Sequence, residues 1–325
     1  MGFDGKRVGS IWKGLSLAAL IDYNDPVVAH GLDKRVKYCR LIRRKLKGKP
    51  YFYVQLICEG KPYQKPKNTI GEGYVGLDIG PSTIAVVGET DAFLLQFCRE
   101  LEDRQPEIRR LQRKLDRQRR ANNPDNYNEN GTIKAGKKTW KTSNRQRKTR
   151  AKLSELQRQQ AAYRKSLHGQ MVNQILRMGH VVQLEKLSYR AFQRRYGKSV
   201  SMRAPGMFVE QLRRKAESAG VSVNEFPTYT TKLSQTCHNC GTVKKKPLSQ
   251  RWHKCECGIE AQRDLYSAFL AMCVDDKTLN VDYASQAWSG VDMLLRAALS
   301  KIQTARDGHL PGSFGLGQSQ SRSPV

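Results

Sequence analysis

Acidic residues are scarce in this chain. Its 325 residues include 29 Asp and Glu against 58 Lys and Arg, a formal net charge of +29. Solubility does not require such a surplus. It points to a polyanionic partner, nucleic acid above all. Long apolar runs are also missing. No stretch approaches the ~20 apolar residues of a membrane span, and the N-terminal residues Met1 to Arg7 lack the apolar core of a secretory signal. The expectation is a cytosolic protein with no membrane partner, whose thiols stay reduced. Hydrophobic residues make up 38%, low but enough for a core, and the length leaves room for two or three domains. No internal repeat is present.

Against that basic background, three carboxylates stand at unusual places. Asp78 ends the apolar run Tyr74-Val75-Gly76-Leu77, and Glu185 ends Val181-Val182-Gln183-Leu184. Asp264 opens a helical stretch of small and apolar residues, Leu265 to Ala271. An acid at the end of a buried strand needs a counter-charge, and a metal ion is the commonest one. Of the eight cysteines, Cys39, Cys58, Cys98 and Cys273 have no close partner and are expected to be core thiols. The other four are paired, Cys237-x-x-Cys240 and Cys255-x-Cys257, with fourteen residues between the pairs. This spacing reads as a zinc ribbon with a structural Zn²⁺. The second pair is one residue short of the usual two-residue spacer, and His238 and His253 are alternative ligands.

Residues 1–70 read as β-rich, with strands at 38–43 and 50–58 around a basic turn. Strand candidates follow at 74–78, 82–88 and 93–98. A helical hairpin spans 101–178, its spacing carried by Ile108, Leu111 and Leu115 and by Leu167, Met171 and Ile175. The Asn- and Gly-rich stretch 121–145 is its flexible tip. From Arg104 to Lys165 there are 20 Lys/Arg and 5 Asp/Glu. A solvated helix face would mix the signs, so this face is expected on a phosphate backbone, with Arg113, Arg117 and Arg120 as contacts. Further strands fall at 180–187 and 221–226, with a helix at 206–218 between them. The Gly-, Ser- and Pro-rich tail 305–325 is expected to be disordered.

Five segments in order carry a resemblance: Gly76 to Thr83, Gln183 to Leu187, Arg203 to Phe208, Lys232 to Gly241, and Arg263-Asp264. In these the chain resembles the TnpB family, transposon-encoded RNA-guided DNA endonucleases related to the type V CRISPR effectors. The likeness covers about residues 35 to 275. It implies an α/β, RNase H-like (RuvC) mixed sheet over 71–227 and 259–304, with the basic hairpin as an insert. It also implies an inserted zinc ribbon at 228–258 and a partial N-terminal β-barrel at 1–70. Further implications are a catalytic Asp78, Glu185 and Asp264 holding Mg²⁺, a guide RNA and a DNA target. Arg263, Ser234 and Gln235 become candidate nucleic-acid contacts. The chain departs from the family pattern at Gln262, where an acid is common, at Tyr266 in place of Asn, and at Lys186 in place of Asp. A helical nucleic-acid-recognition insert common in the family is missing from the N-terminal region. The competing expectation is therefore a shortened copy that binds nucleic acid through the same surfaces and cuts weakly or not at all.

Overall fold

The computed structural model describes residues 2–8, 11–16, 18–304 and 312–316. The chain divides into two units, Met1–Gln64 with Ile108–Gln157, and Lys65–Glu107 with Arg158–Val325.

In the first unit, β1 (Gly2–Val8) pairs antiparallel with β2 (Ile11–Ser16). Helix α1 (Pro26–Leu32) has Pro26 at its start, and the Asp25 side chain caps it by accepting from the Val27 N–H. Strands β3 (Val36–Leu46) and β4 (Lys49–Cys58) form a second antiparallel ladder. Their turn is only Lys47-Gly48, both at positive φ (47° and 82°), a type I′ loop whose twist suits the strands. Where a partial barrel was expected, the described residues form two separate two-stranded ladders.

Most of α2 (Gln105–Asn122) and the start of α3 (Asn144–Leu176) belong to the same unit. Ile108 and Leu111 pack with Leu153 and Leu156. The stretch between the helices, expected to be flexible, is cross-linked instead. The Asn123 carboxamide donates to the Arg119 and Lys141 carbonyls and accepts from the Lys141 N–H. The Arg119 guanidinium lies 3.9 Å over the Trp140 ring. Polar composition suggested a loop, but these side chains satisfy its backbone internally.

The second unit is built on a five-stranded sheet of β5 (Tyr74–Ile79), β6 (Thr83–Gly88), β7 (Ala92–Gln96), β8 (Val181–Lys186) and β9 (Ser222–Pro227). The order is β7-β6-β5-β8-β9. The first three form an antiparallel meander, while β8 runs parallel to β5 and β9 parallel to β8. Helices α4 (Tyr189–Arg203) and α5 (Pro205–Ala219) cross from β8 to β9. After β9 come α6 (Thr228–Thr231), the small ladder β10 (Trp252–Lys254) and β11 (Glu260–Gln262), and α7 (Arg263–Met272). Short strands β12 (Val274–Asp275) and β13 (Thr278–Leu279) lead to α8 (Val281–Thr304).

Strand alternation sorts the two faces of this sheet. Val75, Leu77 and Ile79 of β5, with Val182 and Leu184 of β8, pack against Val172 and Ile175 of α3 and Phe208 and Leu212 of α5. On the other face lie α7 and α8, with Leu265, Phe269, Leu295 and Ala298 against Ala85, Val87 and Leu94. Both faces are covered, which is why these strands read as near-continuous apolar runs. Within the tail expected to be disordered, Gly312–Phe314 form a 3₁₀ turn, and Phe314 is buried in the α7–α8 core. The rest of 305–325, apart from Gly315 and Leu316, lies outside the described residues. Among the described residues, no helix is long and apolar enough to cross a membrane.

Candidate functional site

The strand register brings two of the sequence-selected carboxylates together. Leu77 pairs with Leu184 in the parallel β5–β8 ladder. Asp78 and Glu185 follow these residues, so they end adjacent strands on one face. That face is the α7 side, because their alternate neighbours Val75, Leu77, Val182 and Leu184 belong to the opposite core. Helix α7 can lie close because β5 has Gly76 there: a β-carbon at 76 would stand 1.9 Å from the Ala268 carbonyl oxygen. Asp264 sits in the first turn of this helix, where the N-terminal dipole favours an anion.

All three carboxyls are shifted upward, chiefly by burial, and Asp78 also feels the charges of the other two. Burial raises the Asp78 carboxyl well above the usual carboxylate range, and the charges of Asp264 and Glu185 raise it further. Burial pushes Glu185 up to about 7. Asp264 is also raised by burial, against the opposing pull of Arg263 and Arg251. These groups do not readily ionise together without added positive charge.

Arg263, expected on the nucleic acid, is turned inward. Its guanidinium donates to the Pro247 carbonyl at 3.2 Å and the Gln250 carbonyl at 2.8 Å, and its Nε lies 3.5 Å from Asp264. It ties the cysteine-rich segment to the acidic site. Two neighbours escaped the sequence reading. Arg251 acts on both Asp78 and Asp264 by charge, and no local pattern marks a residue so distant in sequence from Asp78. Gln262 is fully buried and caps α7 by accepting from the Leu265 N–H at 2.8 Å.

The four cysteines gather as their spacing predicted. The Sγ atoms of Cys237, Cys240, Cys255 and Cys257 all lie within 4.8 Å of one another. Four thiolates at this separation could hold a metal ion, and the short second spacer does not prevent them from converging. The flanking glycines take positive φ, 70° at Gly241 and 93° at Gly258, a conformation that costs other residues energy. Cys240 is lowered to about 6 by hydrogen bonds from Thr242, while burial pushes Cys237 up to about 12. Neither histidine joins the cluster. The His238 Nδ1 meets the Tyr266 hydroxyl at 2.7 Å, and the His253 Nδ1 meets the Lys246 Nζ at 2.6 Å.

The remaining expected contacts separate. Arg113 and Arg117 are exposed on α2. Arg120 donates to Asp116 and to the Gly131 carbonyl and lies over the Tyr127 ring, so it braces the loop. Ser234 is exposed and Gln235 half-buried in the turn before Cys237.

The Cas12f1-like, TNB domain family matches residues 206–270, a span running from α5 through the cysteines into α7. No curated protein sequence matches the chain. Among solved structures it is similar to a chain of the cryo-EM structure of the Cas12f1–sgRNA–target DNA complex. That likeness is at 16% identity and TM-score 0.47, covering 73% of this chain and 45% of that one. A second is the cryo-EM structure of the CRISPR–Cas12f ternary complex, at 16% identity and TM-score 0.38, covering 75% and 46%. The chain thus spans less than half the length of either. Over residues 206–270, from α5 through the cysteines into α7, the chain is similar to the TNB domain of the Cas12f1-like family.

Proposed function

We propose that the chain is an RNA-guided DNA endonuclease that hydrolyses phosphodiester bonds at Asp78, Glu185 and Asp264 within an RNase H-like fold. What supports this is the β5–β8 register, which sets Asp78 and Glu185 at neighbouring strand ends on the α7 side, with Asp264 in the first turn of α7 and its charge acting on Asp78. The donor set fits a hard divalent cation such as Mg²⁺, which takes oxygen ligands and keeps several waters. When bound, such a cation promotes attack of water on phosphorus and neutralises the leaving oxygen. The chain's own part is positional. Sheet register fixes Asp78 and Glu185, Gly76 admits α7, and Gln262 and Arg263 fix the turn that presents Asp264. Burial disfavours their charged forms, so a bound cation would supply the counter-charge that lets them ionise together.

The cysteine cluster fits Zn²⁺, whose preferred donors are thiolates in tetrahedral sets. Its proposed role is structural, since Arg263 and Tyr266 join its loops to α7. The guide RNA and target DNA rest on the motif resemblance and the matched domain, supported by the chain's +29 charge. The test is cleavage of a guide-complementary plasmid by protein purified with its RNA. Nicking with Mg²⁺ that stops on chelation supports the reading. Binding without nicking under those conditions would leave a nucleic-acid-binding protein instead.

A further inference from the structure

The hairpin of α2 and α3 carries more than a basic surface. Between the helices runs a groove of about 850 Å³. Arg110, Lys114 and Arg117 line one wall, and Arg145, Lys148 and Lys152 the other. All six are exposed, and no acidic side chain is among the lining residues. Their spacings, i, i+4, i+7 on one helix and i, i+3, i+7 on the other, place each trio on a single helix face. The floor is Leu111, Thr149 and Gln118, with no aromatic ring among the lining residues. The Gln118 carboxamide is shielded from solvent beneath this floor.

We infer that this groove holds one nucleic-acid strand by its phosphates, with the bases turned outward. This rests on the nucleic-acid reading above and says which part of the ligand this surface takes. Packed helices stand about 8–10 Å apart, so cations on both walls flank a single backbone. They do not match the two backbones facing each other across a duplex major groove ~12 Å wide. Each trio spans about 10 Å of helix at 1.5 Å per residue, about three phosphates of a stacked strand at 3.4 Å each. With no ring to stack on, the bases stay free to pair elsewhere, and neither base nor sugar is read here.

The test uses the full chain and four ligands of equal length: oligo-dT, an abasic DNA strand, oligo-rU and a blunt DNA duplex. Lys114→Gln/Arg117→Gln and Arg145→Gln/Lys148→Gln are compared with wild type, with Lys114→Arg/Lys148→Arg as the charge-preserving control. Each single-strand phosphate contact contributes about 0.7 to the log–log salt slope. Either wall's double variant should therefore flatten the slope by about 1.4, and all four substitutions by about 2.8. The fold-loss should be the same on dT, abasic DNA and rU and less than half as large on duplex, and the arginine control should bind like wild type. A loss confined to one wall, a loss that vanishes on the abasic strand, one that differs on rU, or one as large on duplex would each overturn the inference. Variants that bind like wild type overturn the groove alone. A wild-type chain that binds none of the strands overturns the functional reading with it.

Discussion

Gly76 of β5 lies so close beneath Ala268 of α7 that a β-carbon there would stand 1.9 Å from the Ala268 carbonyl oxygen and 2.3 Å from the Met272 nitrogen. Both obstacles are helix backbone, which cannot rotate aside as a flexible side chain can. Asp78 and Asp264 depend on this approach.

Gly76→Ala is therefore expected to push α7 off the sheet. Overpacking a core costs about 1–3 kcal/mol, and here the upper part of that range applies because backbone must move. Urea unfolding should show a midpoint loss of that size, accompanied by loss of any divalent-ion binding. A Gly76→Ala protein as stable as wild type would contradict the close packing.

The second expectation concerns pH in metal-free protein. Burial pushes the Glu185 carboxyl from its ordinary 4.5 up to about 7 in the folded chain. Between those values the unfolded chain binds fewer protons than the folded one, so this group's contribution to stability falls as pH rises. The full effect is about 3 kcal/mol, absent below about pH 4.5 and complete above about pH 7. Glu185→Gln should thus gain stability relative to wild type across that window, as followed by thermal melts. Added Mg²⁺ should raise the wild-type melting temperature and leave that of Glu185→Gln nearly unchanged. A difference between the two proteins that is flat with pH would contradict the burial of Glu185.

How far the sequence alone reached can be seen at these same residues. The three carboxylates and four cysteines were visible because acids are rare in this chain and cysteines cluster by spacing. Strands β5, β6 and β8 were visible because both faces of the sheet are covered there, which leaves apolar runs. Helix α4 was not, because its fifteen residues, Tyr189–Arg203, include only Val200 as a buried position. Nor was the order in the 123–143 loop, since the bonds of Asn123 join residues eighteen apart in sequence. The inward turn of Arg263 was hidden for the same reason: its partners, the carbonyls of Pro247 and Gln250, carry no side-chain signature.

Metal analysis of protein purified without chelator should find about one Zn²⁺ per chain. Cys240→Ser should lose it and destabilise the segment that joins α7. His253→Ala should retain it, because His253 faces Lys246 and Tyr266 and not the thiols. Loss of zinc in His253→Ala would show that the ligand set is not the four cysteines. Because the thiols must deprotonate, zinc uptake should release protons, which a weakly buffered titration reads directly.

The most direct measurement is single-turnover cleavage of target DNA by wild type and by Asp264→Ala, each loaded with the same guide RNA in Mg²⁺, with RNA binding followed in parallel. If the three carboxylates hold a cation as proposed, removing one would weaken that hold, and the rate should fall by several orders of magnitude. It also removes a negative charge near the bound phosphates, so binding should hold or rise slightly. Asp78→Ala should behave alike, and the double variant should be no worse than either single one, as the proposal that the three act as a unit requires. An Asp264→Ala protein that cuts at the wild-type rate would contradict the assignment of Asp78, Glu185 and Asp264 as the site of hydrolysis.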